Sequence, residues 1–282
     1  MSASPKKPSR NADLVLGIDA AWTVRQPTGV CLLAKQREAW ECIALTPDLN
    51  AFLQGPTTQA LDWTQRPEGG EISVPEIMQA IKRWCPQGQL QVVALDIPLA
   101  RSPVRARRKA DNQVTRRYGR FGCGTHSPLP ERPGPMSDRL REAWSNAGFP
   151  LATLDGSPPC PAILEVYPHP AVMMLLEASY RVPYKASRAG KYWPELSRQE
   201  RIDAICGELR RINQALSRHI SSLPQIVPAK ITTLSAIKRY EDALDAAVCA
   251  WIGVCYAEKQ IEGFGDEDAA IWIPRLDDNR YP

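Results

Sequence analysis

Five acidic side chains stand in stretches where a carboxylate is costly to place. In Leu14 to Trp22 (LVLGIDAAW), Leu14, Val15, Leu16 and Ile18 run apolar without alternation, as in a strand covered on both faces, and the run ends on Asp19. Gln91 to Ile97 (QVVALDI) repeats the arrangement, with Asp96 just before Pro98. Ala162 to Tyr167 (AILEVY) carries Glu165 and stops at Pro168. Late in the chain, EDALDAAVCAW places Asp242 and Asp245 three residues apart, on one helical face. An ionised carboxylate in apolar surroundings needs a capping role, a basic partner or a metal ion to compensate it. Acids that converge repel one another, so near neutral pH such a group takes up a proton or binds cations. Oxygen donors without Cys or His favour Mg²⁺ or Mn²⁺ over zinc, and this chain has just three histidines. Two such ions about 4 Å apart can activate a water and stabilise the leaving oxygen of a phosphodiester. Plain alternatives exist for each acid: a strand-end turn for Asp19, a turn cap before Pro98 for Asp96, and a solvated first helical turn for Asp242 and Asp245. His169 reads as a structural histidine, with proton shuttle or ligand as its other roles.

Positive charge is clumped. Between Arg101 and Arg120 there are eight Lys or Arg and a single acid, Asp111. Arg105, Arg108 and Asn112 fit one helical stripe, with Arg116 and Arg117 close behind. Tyr118 to Gly124 then reads as a glycine-spaced loop carrying Arg120, followed by Thr125-His126-Ser127. Because the stretch begins soon after Asp96, it is expected over the mouth of the acid site, where guanidiniums would meet phosphate. A solvated basic surface is the plain alternative. Tyr184-Lys185 and Lys191-Tyr192-Trp193 interleave basic and aromatic residues, a combination that can stack bases.

Several elements must position these groups. After the first strand, Gly29 to Lys35 and Ala39 to Leu45 read as two more strands joined by tight turns, making an antiparallel meander. Residues 46–74 are polar with weak signals. Pro75 opens a helix to about Trp84, and the strand ending near Asp96 follows. Residues 100–160 form an irregular, basic, Pro/Gly-rich insertion with a helix over Ser137–Ala147. Beyond the Glu165 strand, helices are predicted over 169–180, about 197–220 and 238–259, with an edge strand at Ala269–Pro274. In the last helix, Ala243, Ala246, Ala247, Ala250 and Gly253 form a small-residue surface able to approach a sheet closely. The order predicts a mixed sheet with helices on both faces.

With 282 residues, 44% hydrophobic and 23% charged, the chain suits one large domain or two small ones. No apolar run approaches the roughly 20 residues of a membrane-spanning helix, and the N-terminal stretch lacks the apolar segment of a secretory signal. Residues 1–12 read as a disordered tail. The eight cysteines are scattered without a C-x-x-C pair, which reads as small buried hydrophobes in a reducing cytoplasm.

The ordered series GIDAAW, ALDIPLA, LEVYPHP and EDALDAAVCAW resembles the predicted RNase H-like nucleases gathered as domain of unknown function 429, over residues 14 to about 274. The D-x-x-D of the last helix is similar to that of RuvC-type junction resolvases. The resemblance implies a single RNase H-like domain over 13–282 and a metal-dependent nuclease site acting on DNA or RNA. It implies Asp19 bridging metals, Asp96 as second strand ligand and Asp242 or Asp245 as helix ligand. Tyr167 and His169 stand where the commoner E-V-H-P-E form has His and Glu. Glu165 joins the candidate catalytic set, and Arg105, Arg108, Arg116, Arg117, Arg120, His126 and Lys185 the candidate substrate contacts. Two other functions fit parts of the pattern. One is a catalytically silent nucleic-acid or protein-binding module. The other is an ATP-binding phosphotransferase of the actin/sugar-kinase sort, although Ala20-Ala21-Trp22 follows Asp19 where that fold needs a glycine-rich turn.

Overall fold

A computed structural model describes residues 11–156 and 159–275; the tail expected over residues 1–12 lies almost wholly outside them. One eight-stranded sheet, in the order β6-β3-β2-β1-β4-β5-β8-β7, organises the chain. β1 (Asp13–Asp19), β2 (Gly29–Gln36) and β3 (Ala39–Thr46) are the antiparallel meander expected from the sequence. β4 (Gln89–Leu95) and β5 (Ala162–Val166) add to the other side of β1 in parallel. β6 (Ile220–Ser221) extends β3 at one edge. β7 (Ile261–Gly265) and β8 (Ala270–Pro274) close the other. The Ala269–Pro274 segment is therefore not an edge strand. It lies between β5 and β7, because residues 261–265, unassigned in the sequence reading, form the outer strand.

The helices are α1 (Leu49–Gln54), α2 (Val74–Trp84), α3 (Lys109–Tyr118), α4 (Pro135–Asn146), α5 (Pro168–Leu175), α6 (Ala189–Tyr192), α7 (Arg198–Leu216) and α8 (Leu234–Ala257). α1 arises in the polar stretch 46–74, where Asp48 caps it by accepting from the Ala51 N–H at 2.8 Å. α7 opens on a reciprocal capping box between Ser197 and Glu200.

Strand parity divides the core into two layers. Val15, Cys31, Leu33, Val92, Ala94 and Leu164 pack with α5, α7 and α8. Leu14, Leu16, Ile18, Leu32, Val93, Leu95 and Ile163 pack on the opposite face with α1, α2 and α4. The central strands thus read as unbroken apolar runs because both faces are covered. Among the described residues no helix is long and apolar enough to cross a membrane.

Candidate acidic metal centre

The acids at the ends of β1 and β4 share a face with Val15 and Val92, the α8 face. Ile18 is the registered partner of Leu95, so Asp19 and Asp96, one residue further along each strand, emerge side by side. α8 reaches them because glycine leaves it room. A Cβ on Gly17 would lie 2.2 Å from the Ala250 backbone N, and one on Gly29 2.2 Å from the Asp242 carbonyl oxygen. The helix backbone therefore rests directly on β1 and β2, and Asp242 and Asp245 are carried to the end of β1. One carboxylate oxygen each from Asp19, Asp242 and Asp245 lie within 4.8 Å of one another. Asp96 stands outside that trio but lines the same cleft of about 450 Å³, with Asp19, Trp22, His126, Arg132, Lys185, Lys238 and Asp242.

Two lysines enter the cluster. Lys185 donates to Asp245 Oδ2 and lies 3.5 Å from Glu241. Lys238 donates to Asp242 Oδ1 and lies 3.1 Å from Glu241 Oε1. Glu241 is 2% exposed and also accepts the Ala186 N–H at 2.8 Å. Tyr184 donates to Asp245 Oδ1 at 2.7 Å. Five carboxylates (Asp19, Asp96, Glu241, Asp242, Asp245) therefore face two ammonium groups, leaving the cluster three formal negative charges in excess. Asp242, 1% exposed, keeps one oxygen, Oδ2, with no hydrogen-bond partner among the described residues.

Protonation follows that excess. Burial, then the neighbouring Asp19 carboxylate, pushes Asp96 well above the ordinary carboxylate range. Burial likewise raises Asp242 well above it, against the pull of Lys238. Asp245 is raised to about 6 by burial, partly offset by Lys185. For Glu241 burial also pushes upward, but Lys185 and Lys238 outweigh it and leave the group below its ordinary value. Burial opposes the charge on Lys185, yet Asp245, Tyr184 and Glu241 hold its pKa well above the usual lysine range. Carboxylate oxygens in excess of the lysine charge, one of them buried and orphaned, fit a hard divalent cation.

Glu165, expected among the catalytic acids, leaves its strand on the other side, and it lines a second, smaller cleft with Asp96, Asp111, Trp22 and His126. It is registered with Leu95 and so belongs to the row facing α2 and α4. There the Arg108 guanidinium clasps it, Nη1 to Oε2 at 2.5 Å and Nη2 to Oε1 at 2.6 Å, and the Leu99 N–H adds a bond of 2.6 Å. Arg108 also pairs with Asp111 at 2.9 Å, so it is a buried structural partner and not a free phosphate ligand. The stripe expected from Arg105 to Asn112 fails for a local reason: α3 begins only at Lys109, its Arg108 cap turned inward to Glu165. Arg105 and Arg116 are exposed and line no part of the cleft, nor do Arg117 and Arg120. Arg120 lies over the Phe121 ring instead.

His126 and Lys185 do lie at the cleft, joined by two basic residues that sequence reasoning passed over, Arg132 and Lys238. Arg132 sits over the Trp22 ring at 5.6 Å. Glu241 was missed as well. Its signal was present: it lies four residues before Asp245 on the same helical face, so E-D-x-x-D was a three-acid motif. His169, in the first turn of α5, touches Tyr184 and Arg181, and no carboxylate contact is seen for it among the described residues.

The family model described as "Protein of unknown function (DUF429)" matches residues 17–270. No curated protein matches the chain, and no solved structure does.

Proposed function

The chain belongs to the DUF429 family, and from that premise we propose that it is a divalent-metal-dependent nuclease on an RNase H-like fold. The antiparallel meander followed by parallel strands supports the fold reading. The observation that carries the chemistry is the trio of Asp19, Asp242 and Asp245 oxygens within 4.8 Å, with Asp242 Oδ2 buried and unpartnered beside them. Asp19, Asp242 and Asp245 would hold Mg²⁺ or Mn²⁺, with Asp96 at its flank. The bound ion would supply charge stabilisation on a phosphate oxygen and acidify water.

The chain's own residues arrange the rest. Lys238, whose side chain is 45% exposed, can leave Asp242 as the cation arrives and turn to a phosphate oxygen. Lys185, paired with Asp245 Oδ2 and 3.5 Å from Glu241, can shift toward Glu241 as the cation takes that oxygen. Arg132, seated over the Trp22 ring, and His126 form the rim that meets the phosphate backbone. Glu241 holds the two lysines in register with the acids.

The test is incubation with branched, single-stranded, duplex and hybrid substrates in Mg²⁺ or Mn²⁺, beside a calorimetric Mn²⁺ titration. The wild-type chain is expected to cleave at least one substrate and to bind Mn²⁺. Asp19→Asn and Asp242→Asn are expected to lose both properties while staying folded. Cleavage that survives in both variants would overturn the assignment. The lysine contacts to Asp242 and Asp245 favour one other reading, a nucleic-acid-binding site without turnover. Metal-independent binding with no cleavage across the panel would select it.

A further inference from the structure

The contacts behind Asp245 run in one direction. Arg181 Nη2 lies 2.5 Å from His169 Nε2. A guanidinium has only donors and keeps its proton, so Nε2 must accept. A neutral imidazole then carries its proton on Nδ1. Burial, with Arg181 and Lys185 nearby, holds the His169 pKa well below the usual range, consistent with a neutral ring. Nδ1 lies 3.4 Å from the Tyr184 hydroxyl oxygen, and that hydroxyl lies 2.7 Å from Asp245 Oδ1. An ionised carboxylate only accepts, so Tyr184 spends its single proton on Asp245 and takes one from His169. Each link fixes the next. The ring is held from both sides, by Tyr167 edge-on with centroids at 5.5 Å and by Tyr184 at 5.6 Å. Tyr167 is itself tied to the Gly124 carbonyl at 2.9 Å.

We propose that Arg181 and His169 are positioning residues acting through Tyr184 to lock one oxygen of Asp245, so that its other oxygen, met here by Lys185, is presented to the cation. The inference rests on Asp245 serving the metal site proposed above. It assigns His169 to orienting a ligand, neither to ligation nor to proton transfer with substrate. Outer hydrogen bonds of this kind set ligand orientation, and their loss typically costs about 10–100-fold in metal affinity.

Two measurements test it. In the metal-free wild-type chain, ¹⁵N spectra of labelled histidine near neutral pH should show His169 as the Nδ1–H tautomer. In Mn²⁺ calorimetry, Tyr184→Phe should bind about 10–100-fold more weakly than wild type, with a melting curve confirming the fold. His169→Ala should weaken binding in the same direction. His169→Asn, whose amide N–H can occupy the Nδ1 position, should recover most of the affinity. Unchanged affinity in Tyr184→Phe, or His169→Asn as weak as His169→Ala, would overturn the proposal. A proton found on Nε2 in a chain that binds Mn²⁺ overturns the relay alone. A wild-type chain that binds no Mn²⁺ removes the metal site and this role together.

Discussion

Two groups of buried and half-buried carboxylates gather near the ends of β1, β4 and β5, and they are finished differently. On the α2/α4 face, Glu165 and Asp111 share Arg108, and both oxygens of each acid are bonded to it or to backbone. On the α8 face, five acids face two lysines and Asp242 Oδ2 has no partner among the described residues. The first arrangement is closed, with nothing left for a ligand to satisfy. The second is incomplete without a cation or protons. What separates the two groups is the charge balance and the one leftover oxygen, Asp242 Oδ2, not the number of acids.

The largest expected effect breaks the closed group. Arg108→Met would leave Glu165 buried without its counter-charge, at a cost of about 3–5 kcal/mol in unfolding stability. Denaturant titration measures it. The fraction that remains folded should still bind Mn²⁺, because Asp19, Asp242 and Asp245 make no contact with Arg108. A loss under 1 kcal/mol would remove the distinction between the two groups.

Next in size is the pH response of the open group. Asp245 is raised from its ordinary value near 3.8 to about 6, so the folded chain holds its proton more tightly than the unfolded chain does. That contribution to stability is fully present below about pH 4 and is lost as pH rises through about 6, on the order of 1–3 kcal/mol for the metal-free chain. Mn²⁺ competes with the same proton, so the melting shift that Mn²⁺ produces should grow across this window. Melting curves at a series of pH values check both slopes, and a metal-induced shift independent of pH would contradict the assignment.

The smallest effect sharpens the comparison by exclusion. Arg116 is exposed and away from the cleft, so Arg116→Ala should change stability by no more than about 0.5 kcal/mol. It should leave oligonucleotide affinity at low salt close to wild type. Arg132→Ala, at the rim, should weaken that affinity and flatten its salt dependence. Fluorescence anisotropy at several salt concentrations reads both.

Much of the scaffold was legible because periodicity and breakers act locally. The meander, the strands ending near Asp19 and Asp96, and the small-residue helix face were all readable from residue type. α1 was not, since its signal was a single capping Asp48 within a polar stretch. β7 was hidden because its short Ile261–Gly265 run contains two glycines and gains its pairing only from β8. The acids were recognisable as costly, but their partners were not. Arg108 sits in the same basic run as Arg105 and Arg116, and nothing local says that it alone turns inward.

The amino-acid order marked Asp19, Asp96, Glu165, Asp242 and Asp245 as costly to place, because an acid inside an apolar run is visible wherever the chain folds, but it marked neither Glu241 nor Arg108. It also marked α8 as able to lie close to the sheet, through Ala243, Ala246, Ala247, Ala250 and Gly253; that Gly17 and Gly29 receive it was decided by the fold. Tertiary structure alone decided which acids meet. Strand register sets the face on which each side chain emerges, so Asp19 and Asp96 fall on one side of the sheet and Glu165 on the other. Register depends on pairings between residues far apart in the chain, such as Ile18 with Leu95 and Leu95 with Glu165, and no local pattern encodes them.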